Sequence, residues 1–205
     1  MYARVLIELQ NAYDANADER NSRSIQDWKA VERGHFLDEL QRTKKGLLLE
    51  IGSGPGHDGK FFHDHGLQVV CTDLSPNMVA FCQAKGLEAH VMDVLSLNFP
   101  ENHFDSVYSL NTLLHVPKAD IETAFKKIRH VMQPGGLFYF GGYGGQDFEG
   151  VWENDSYTPH RFFSMFTDQA ILALVMRLFE LIYFRQVIYD PQGEYHFQSM
   201  ILRKS

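Results

Sequence analysis

The 205-residue chain reads as an α/β protein built on one mostly parallel sheet with helices on both faces. Three observations carry this reading. Short, continuously apolar runs such as Leu47-Leu48-Leu49 and Val69-Val70-Cys71 alternate with helical patterns from Leu47 to Phe140. Strands buried on both sides need no polar face, so such runs fit the middle of a sheet. The first run ends in glycines, Gly52-Ser53-Gly54-Pro55-Gly56, and leads straight into a helical pattern. Beyond Phe179 the alternation stops, and two β-rich segments flank Asp190-Pro191-Gln192-Gly193, which is hairpin chemistry rather than another crossover unit.

The elements follow in order. Residues 1–45 read as helical, with Val5, Leu6, Leu9 and Tyr13 recurring at helix spacing. After a polar stretch from Asp14 to Arg23, Ser24 is placed to cap a second helix whose apolar face includes Ile25, Trp28, Val31, Phe36, Leu37 and Leu40. Leu47–Ile51 is a strand, 58–66 a helix closed by Gly66, and 67–72 the next strand. Pro76 to Lys85 is a helix with Ser75 at its N-cap and Gly86 just past its end. Leu87–Met92 and Phe104–Leu110 are strands; Lys118–Met132 is a helix stopped by Pro134-Gly135-Gly136; Leu137–Phe140 is the fifth strand. Residues 168–179 read as a helix, and Phe179–Tyr189 with Tyr195–Leu202 as the terminal hairpin. One domain over 1–205 is expected, divided into an N-terminal helical cap (1–45), a core (46–140), an insertion or lid (141–160) and a C-terminal helix with hairpin (161–205).

Composition narrows the classes. Hydrophobic residues at 44% supply one sizeable core, which argues against disorder. A formal charge of −7 makes a poor general binder of phosphate backbones, so nucleic acid is not the expected partner. Cys71 and Cys82 lack zinc-ligand spacing and read as buried free thiols. His57, Asp58, His63, Asp64 and His65 do not share a helix face, so no metal is expected. The N-terminus lacks an apolar core of signal-peptide length and no run reaches a membrane span, so a cytoplasmic protein with no membrane partner is expected.

The glycine loop carries the chemistry. Its glycines permit a tight turn and let backbone N–H groups approach a ligand. Asp73 ends the next strand about 20 residues on, where an acid accepts hydrogen bonds from ribose hydroxyls. This is the setting of an adenosine-type cofactor. The dinucleotide spacing G-x-G-x-x-G is broken, because His57 stands at the third glycine position.

The pattern Glu50-Ile51-Gly52-Ser53-Gly54-Pro55-Gly56 instead resembles the class I S-adenosylmethionine-dependent methyltransferases of small-molecule type. Further segments share the resemblance: Val91-Met92-Asp93, Phe104 to Asn111, Leu113-Leu114-His115-Val116, Val131 to Phe138, and the terminal hairpin. The likeness spans about residues 46–203. It implies a Rossmann-like three-layer αβα sandwich with a seven-stranded sheet and an antiparallel C-terminal hairpin strand. It also implies that S-adenosyl-L-methionine is the cofactor. Glu50 would hold its methionine end, Gly52, Ser53, Gly54 and Gly56 would form the loop beneath it, and Asp73 would hold the ribose diol. Leu74 and Asp93 would contact the adenine, and Met92, Tyr13 and Asn111 at the end of the fourth strand would also bind the cofactor.

Methyl transfer from a sulfonium is an in-line displacement with a good leaving group, so alignment and water exclusion matter most. The positive sulfur favours aromatic faces, and Tyr13, Trp28, Tyr143, Trp152 and Tyr157 lie in the segments that would cover it. His115 is the candidate general base. Gly141 to Gly145 reads as a hinge or a close-approach site, and residues 146–157 as a mobile lid whose acidic side chains suit a cationic or amine-bearing acceptor. Leu110-Asn111-Thr112-Leu113 lacks the Pro-Pro-aromatic motif of enzymes that methylate adenine or glutamine nitrogens, which argues against those substrates. A small-molecule acceptor and a monomer or homodimer are expected. Two other readings are a nicotinamide-dependent oxidoreductase, opposed by His57 and the hairpin, and a non-catalytic cofactor-binding partner of another methyltransferase, opposed by the intact Glu50, Asp73 and Asp93.

Overall fold

The computed structural model describes residues 2–189 and 195–205. The helices are α1 (Tyr2–Ala15), α2 (Ala17–Ser22), α3 (Asp27–Arg42), α4 (His57–Asp64), α5 (Pro76–Ala84), α6 (Lys118–Val131) and α7 (Asp168–Val175). The strands are β1 (Leu47–Ile51), β2 (Gln68–Asp73), β3 (Glu88–Val91), β4 (Phe104–Leu110), β5 (Met132–Gly144), β6 (Phe148–Val151), β7 (Phe162–Met165), β8 (Glu180–Val187) and β9 (His196–Arg203).

Seven strands form one sheet in the order β3-β2-β1-β4-β5-β9-β8. The first five run parallel, β9 is antiparallel to β5, and β8 is antiparallel to β9. The turn expected at Asp190–Gly193 lies outside the described residues. Consecutive strand residues feed opposite cores, as the two-residue period requires. Leu49 and Phe138 pack with Phe125 and Ile128 of α6 and Ile171 of α7, while Leu48, Tyr108 and Tyr139 pack with Phe36 of α3, Phe62 of α4 and Val79 of α5. The result is the three-layer αβα sandwich. Its order reverses between β1 and β4, which opens a crevice at the carboxyl ends of the strands.

Several boundaries depart from expectation, each for a physical reason. The polar stretch 14–23 contains α2, whose first turn carries Asp18 and Glu19 at the positive end of the helix. Gln26, not Ser24, occupies the N-cap of α3, and Val31, expected on its apolar face, is half exposed. What faces the sheet instead is Glu32, buried, accepting from Ser199 Oγ at 2.6 Å, Tyr183 Oη at 3.2 Å and Arg185 Nη1 at 3.2 Å. A buried carboxylate satisfied this way holds α3 on β8 and β9. Ser75 caps α5 as expected, accepting from the Met78 N–H at 3.1 Å.

Pro134-Gly135-Gly136 ends α6 but does not separate it from the strand. β5 begins at Met132 and the register shifts between the Phe104–Met132 and Ser106–Leu137 pairs, so those residues form a bulge. At its other end β5 runs on through Gly144, paired with β9 as far as His196. The expected hinge is therefore strand. Its glycines are there for close approach: a Cβ on Gly141 would lie 2.5 Å from Phe197 Cζ, and one on Gly144 would lie 2.3 Å from Gln198 Oε1. Within the segment expected as a lid, Phe148–Val151 pairs as β6 with β7 beyond it, so residues 141–160 contribute strand to both sheets.

This crowding is testable by denaturant unfolding. Gly141→Ala is expected to cost about 1–3 kcal/mol through overpacking against Phe197. Gly46→Ala, where a Cβ would meet nothing within 4 Å, is expected to stay within about 0.5 kcal/mol of wild type. Equal stabilities of the two variants would contradict the packing described.

Candidate active site

The crevice between β1 and β4 holds a cavity lined from the ends of both strands and from α1. Its floor is the end of β1 and the glycine loop, with Ile51, Gly52 and Gly54. Gly52 and Gly54 have φ of +69° and +53°, conformations that glycine enters without a Cβ clash. At Gly52 the site also demands the missing side chain, since a Cβ would lie 2.0 Å from Thr112 Oγ1.

Asp73 organises the next wall. Its Oδ2 accepts from the Gly54 N–H at 2.8 Å and its Oδ1 from the Ser75 N–H at 2.9 Å. One carboxylate thus joins the loop after β1 to the start of α5. Burial raises the Asp73 pKa, and the two backbone N–H groups partly offset this. Leu74, Met78 and Met92 add apolar surface beside it. Asp93 caps the short 3-10 turn at 94–96, accepting from the Leu95 N–H at 3.2 Å, and takes a short hydrogen bond from the Tyr2 hydroxyl.

The roof is helix α1. Tyr2, Leu6, Leu9 and Tyr13 line the cavity at spacings of four, three and four, one stripe of the helix. The helix is tied down at both ends, by Tyr2 on Asp93 and by Asp14, which accepts a short hydrogen bond from Ser75 Oγ. Leu6, Leu9 and Tyr13 stand out in the sequence as helix periodicity; that the stripe, with Tyr2, covers a site is visible only once the helix is placed.

At the far end Tyr13 Oη lies 2.7 Å from His115 Nε2, and His115 Nδ1 lies 2.6 Å from the Phe162 carbonyl. A carbonyl only accepts, so Nδ1 carries the proton and Nε2 accepts from the Tyr13 hydroxyl. Arg161 Nη1 donates to the same Tyr13 oxygen at 3.3 Å and is itself held by Asp155 through contacts of 2.8 and 2.7 Å. The Arg161 guanidinium also stacks 3.8 Å from the Tyr157 ring. Burial lowers the His115 pKa to about 3, with Arg161 and Arg20 pushing the same way and the Phe162 bond opposing. Burial raises Tyr13, against the pull of the two arginines. His115 is therefore a neutral imidazole with both nitrogens engaged.

Of the residues expected around a cofactor, Tyr13, Gly52, Gly54, Asp73, Leu74, Met92, Asp93 and Asn111 line this one cavity together with His115. Glu50, Ser53 and Gly56 lie off its wall. The Glu50 carboxyl is buried under the loop, 3.5 Å from Cys71 Sγ and in the space that a Cβ on Gly59 would fill. Ser53 Oγ contacts Cys82 Sγ at 3.4 Å, and Gly56 leaves room for the same thiol. Of the covering aromatics, only Tyr13 reaches the cavity; Trp28 packs on Phe197, Trp152 on Phe163, and Tyr157 on Tyr13. Arg20 is the residue that sequence reasoning missed. It lines the cavity, donates to Tyr157 Oη at 3.1 Å, and leaves its buried Nε without a partner; Nη2 lies 3.7 Å from where a Cβ on Gly54 would stand. An arginine in a polar helix carries no spacing signal that marks it.

The methyltransferase domain family matches residues 49–140. Phosphoethanolamine N-methyltransferase 3 of Arabidopsis thaliana is 34% identical over 109 residues, covering 49% of this chain and 22% of that protein. Sterol 24-C-methyltransferase erg6 of Aspergillus fumigatus is 28% identical over 114 residues, 51% of this chain and 30% of that protein. The chain thus spans less than a third of the length of these curated relatives. The crystal structure of 1,6-didemethyltoxoflavin-N1-methyltransferase from Burkholderia thailandensis, with bound 1,6-didemethyltoxoflavin and S-adenosylhomocysteine, superposes with a TM-score of 0.75 at 20% identity, over 100% of this chain and 89% of that one. Residues 49–140 match the methyltransferase domain family, and the chain as a whole shares the fold of that solved methyltransferase.

Proposed function

We propose that the protein transfers a methyl group from S-adenosylmethionine to a small-molecule acceptor. The observation that carries this is the convergence of two carboxylates and a half-buried arginine on one glycine-floored cavity: Asp73, Asp93 and Arg20. In this reading Asp73 accepts from the ribose hydroxyls, each of its oxygens keeping a lone pair beyond its backbone bond. Asp93 accepts from the adenine amino group, and Leu74 and Met92 enclose the ring. Arg20, with its unpartnered Nε, grips the methionine carboxylate. When bound, the cofactor supplies an electrophilic methyl on a positive sulfur.

The chain's own residues supply enclosure. α1 closes the cavity from above, which excludes water from the displacement. His115 acts as a positioning residue: it orients the Tyr13 hydroxyl, and through it the end of α1, without exchanging a proton itself. Tyr13 presents its ring to the site, where a cation is favoured by the aromatic face. The named relatives methylate through nitrogen and through carbon, so they leave the acceptor atom open.

Calorimetry and thermal shift with S-adenosylhomocysteine test the cofactor reading. A ligand that binds only the folded state at 100 times its Kd adds about 2.7 kcal/mol of stability. Asp73→Ala and Gly54→Val are each expected to abolish that shift, and Arg20→Ala to weaken affinity about 10- to 100-fold through loss of a charge-assisted bond. A normal shift in Asp73→Ala would remove the assignment.

His115 gives a pH signature. Its folded pKa of about 3 lies below the unfolded value near 6.5. The contribution to stability is therefore present in full above pH 6.5 and is lost as pH falls toward 3, by at most about 1.4 kcal/mol per pH unit. The stability gap between wild type and His115→Gln should be widest near pH 8 and narrow steadily below about 6.5. A gap that stays constant from pH 8 to about 5 would contradict the buried neutral imidazole.

A further inference from the structure

Arg20 reaches the cavity from α2, a helix of six residues, and a helix that short is marginal on its own. What holds it lies outside the cavity. Lys85 caps the C-terminus of α5, and its Nζ donates to Asn21 Oδ1 of α2 at 2.6 Å and to the Pro55 carbonyl of the glycine loop at 2.7 Å. One ammonium thus ties the residue beside Arg20 to the loop that floors the cavity. His57 Nε2 donates to the Arg20 carbonyl at 3.4 Å, a second contact between the same two segments. Neither Lys85 nor Asn21 lines the cavity.

The placement of Arg20 matters because its guanidinium is only partly engaged. Nη1 donates to Tyr157 Oη at 3.1 Å, Cζ stands 5.0 Å from the Tyr13 ring centroid, and Nε is buried without a partner. A buried donor left unmet is unfavourable, and a ligand oxygen that reaches it recovers the loss. Such a grip is strongest when the arginine already stands in place, since a side chain ordered beforehand loses less freedom on binding. A lysine suits the clasp. Its three N–H donors spread from one atom, so a single ammonium serves an amide oxygen and a backbone carbonyl at once.

We propose that Lys85 is a positioning residue for the amino-acid end of the cofactor, holding Arg20 beside Gly54 by clasping Asn21 and the Pro55 carbonyl together. The inference rests on the methyltransferase reading, in which Arg20 takes the methionine carboxylate. Lys85 acts through Arg20 and does not touch the cofactor. In the same reading adenine and ribose lie against Asp93 and Asp73, whose carboxyl groups are held by Tyr2 and by backbone N–H groups. The clasp therefore bears on one end of the ligand alone.

Calorimetry on the full chain with two probes tests this. S-adenosylhomocysteine carries the amino-acid end; 5′-methylthioadenosine has the same adenine, ribose and thioether without it. Lys85→Met keeps a long side chain and removes its donors. Asn21→Ala cuts the same clasp from the α2 side, at a half-buried position. Each variant is expected to lose about tenfold in affinity for S-adenosylhomocysteine, the effect of one side chain no longer ordered in advance, and to stay within about twofold of wild type on 5′-methylthioadenosine. In an Arg20→Ala background, Lys85→Met is expected to lose less than about threefold further, because the group it positions is gone. An equal loss on both probes overturns the proposal by making the clasp merely structural. A further loss of about tenfold in the Arg20→Ala background overturns it by showing that Lys85 meets the ligand itself. S-adenosylhomocysteine affinity within about threefold of wild type in either single variant overturns it as well. Arg20→Ala that binds S-adenosylhomocysteine as wild type does would mark the failure of the arginine grip, and wild type that binds none would mark the failure of the cofactor reading; the positioning role falls with either.

Discussion

One carboxylate at the end of β2 sets the geometry on which the rest depends. Asp73 takes a backbone N–H from the glycine loop on one oxygen and a backbone N–H from the start of α5 on the other. Each oxygen of the one carboxyl group accepts one backbone N–H, at 2.8 and 2.9 Å. Together they fix how far the loop after β1 stands from the helix after β2. Ser75 carries the constraint further. Its backbone N–H goes to Asp73, its Oγ accepts from the Met78 N–H, and the same Oγ donates to Asp14 of α1. Floor, wall and roof of the cavity are therefore referred to the end of a single strand. A parallel sheet makes this possible, because it brings the carboxyl ends of β1, β2 and β4 to one side.

The roof is held by a second system of different chemistry. Tyr13, His115, Arg161 and Asp155 form a hydrogen-bonded series that reaches from α1 across the turn at 113–115 to the ladder of β6 and β7. Its sequence separations run to 148 residues, so it cannot form before the sheet is assembled. The series is internally consistent in its proton positions. Arg161 can only donate, which leaves the Tyr13 hydroxyl proton for His115 Nε2, and the Phe162 carbonyl can only accept, which puts the other proton on Nδ1. Burial of the imidazole matters because it keeps the ring neutral and so keeps Nε2 an acceptor. A protonated ring would keep its Nδ1 bond to Phe162 but turn Nε2 into a donor facing the Tyr13 hydroxyl, and the present direction of that hydrogen bond would be lost.

The sequence made the parallel core legible because buried strands leave long apolar runs and the loop between β1 and α4 leaves glycines that nothing else explains. Asp73, Leu74, Met92 and Asp93 were legible for a related reason: a site at the carboxyl ends of strands must draw on the residues that follow each strand. Three features were not legible, each because a tertiary contact overrides a local pattern. Gly141 to Gly144 read as a hinge or a close-approach site, and only the arrival of Phe197 and Gln198 from residues more than fifty positions away selects the second. That the Glu50 carboxyl sits in the opening Gly59 leaves beneath the loop is set by a contact the sequence does not display. His115 reads as a candidate base by its residue type, and only the packing of Phe162 and Tyr13 around it shows both ring nitrogens engaged.

These features bear on one another. With His115 and Tyr13 engaged with each other, and Asp73 and Asp93 with backbone N–H groups and Tyr2, the titratable groups of the cavity wall are largely committed to one another and to the backbone. At the end of β4 the same wall carries Asn111, in the left-handed backbone region with its N–H on the Gly141 carbonyl and its buried Oδ1 unmet. That N–H finds its acceptor because β5 continues as strand through the glycines, held by its pairing to β9. The antiparallel β9, which sets this sheet apart from a purely parallel one, therefore acts on the cavity indirectly: by extending β5 it fixes the residue that ends β4 on the cavity wall.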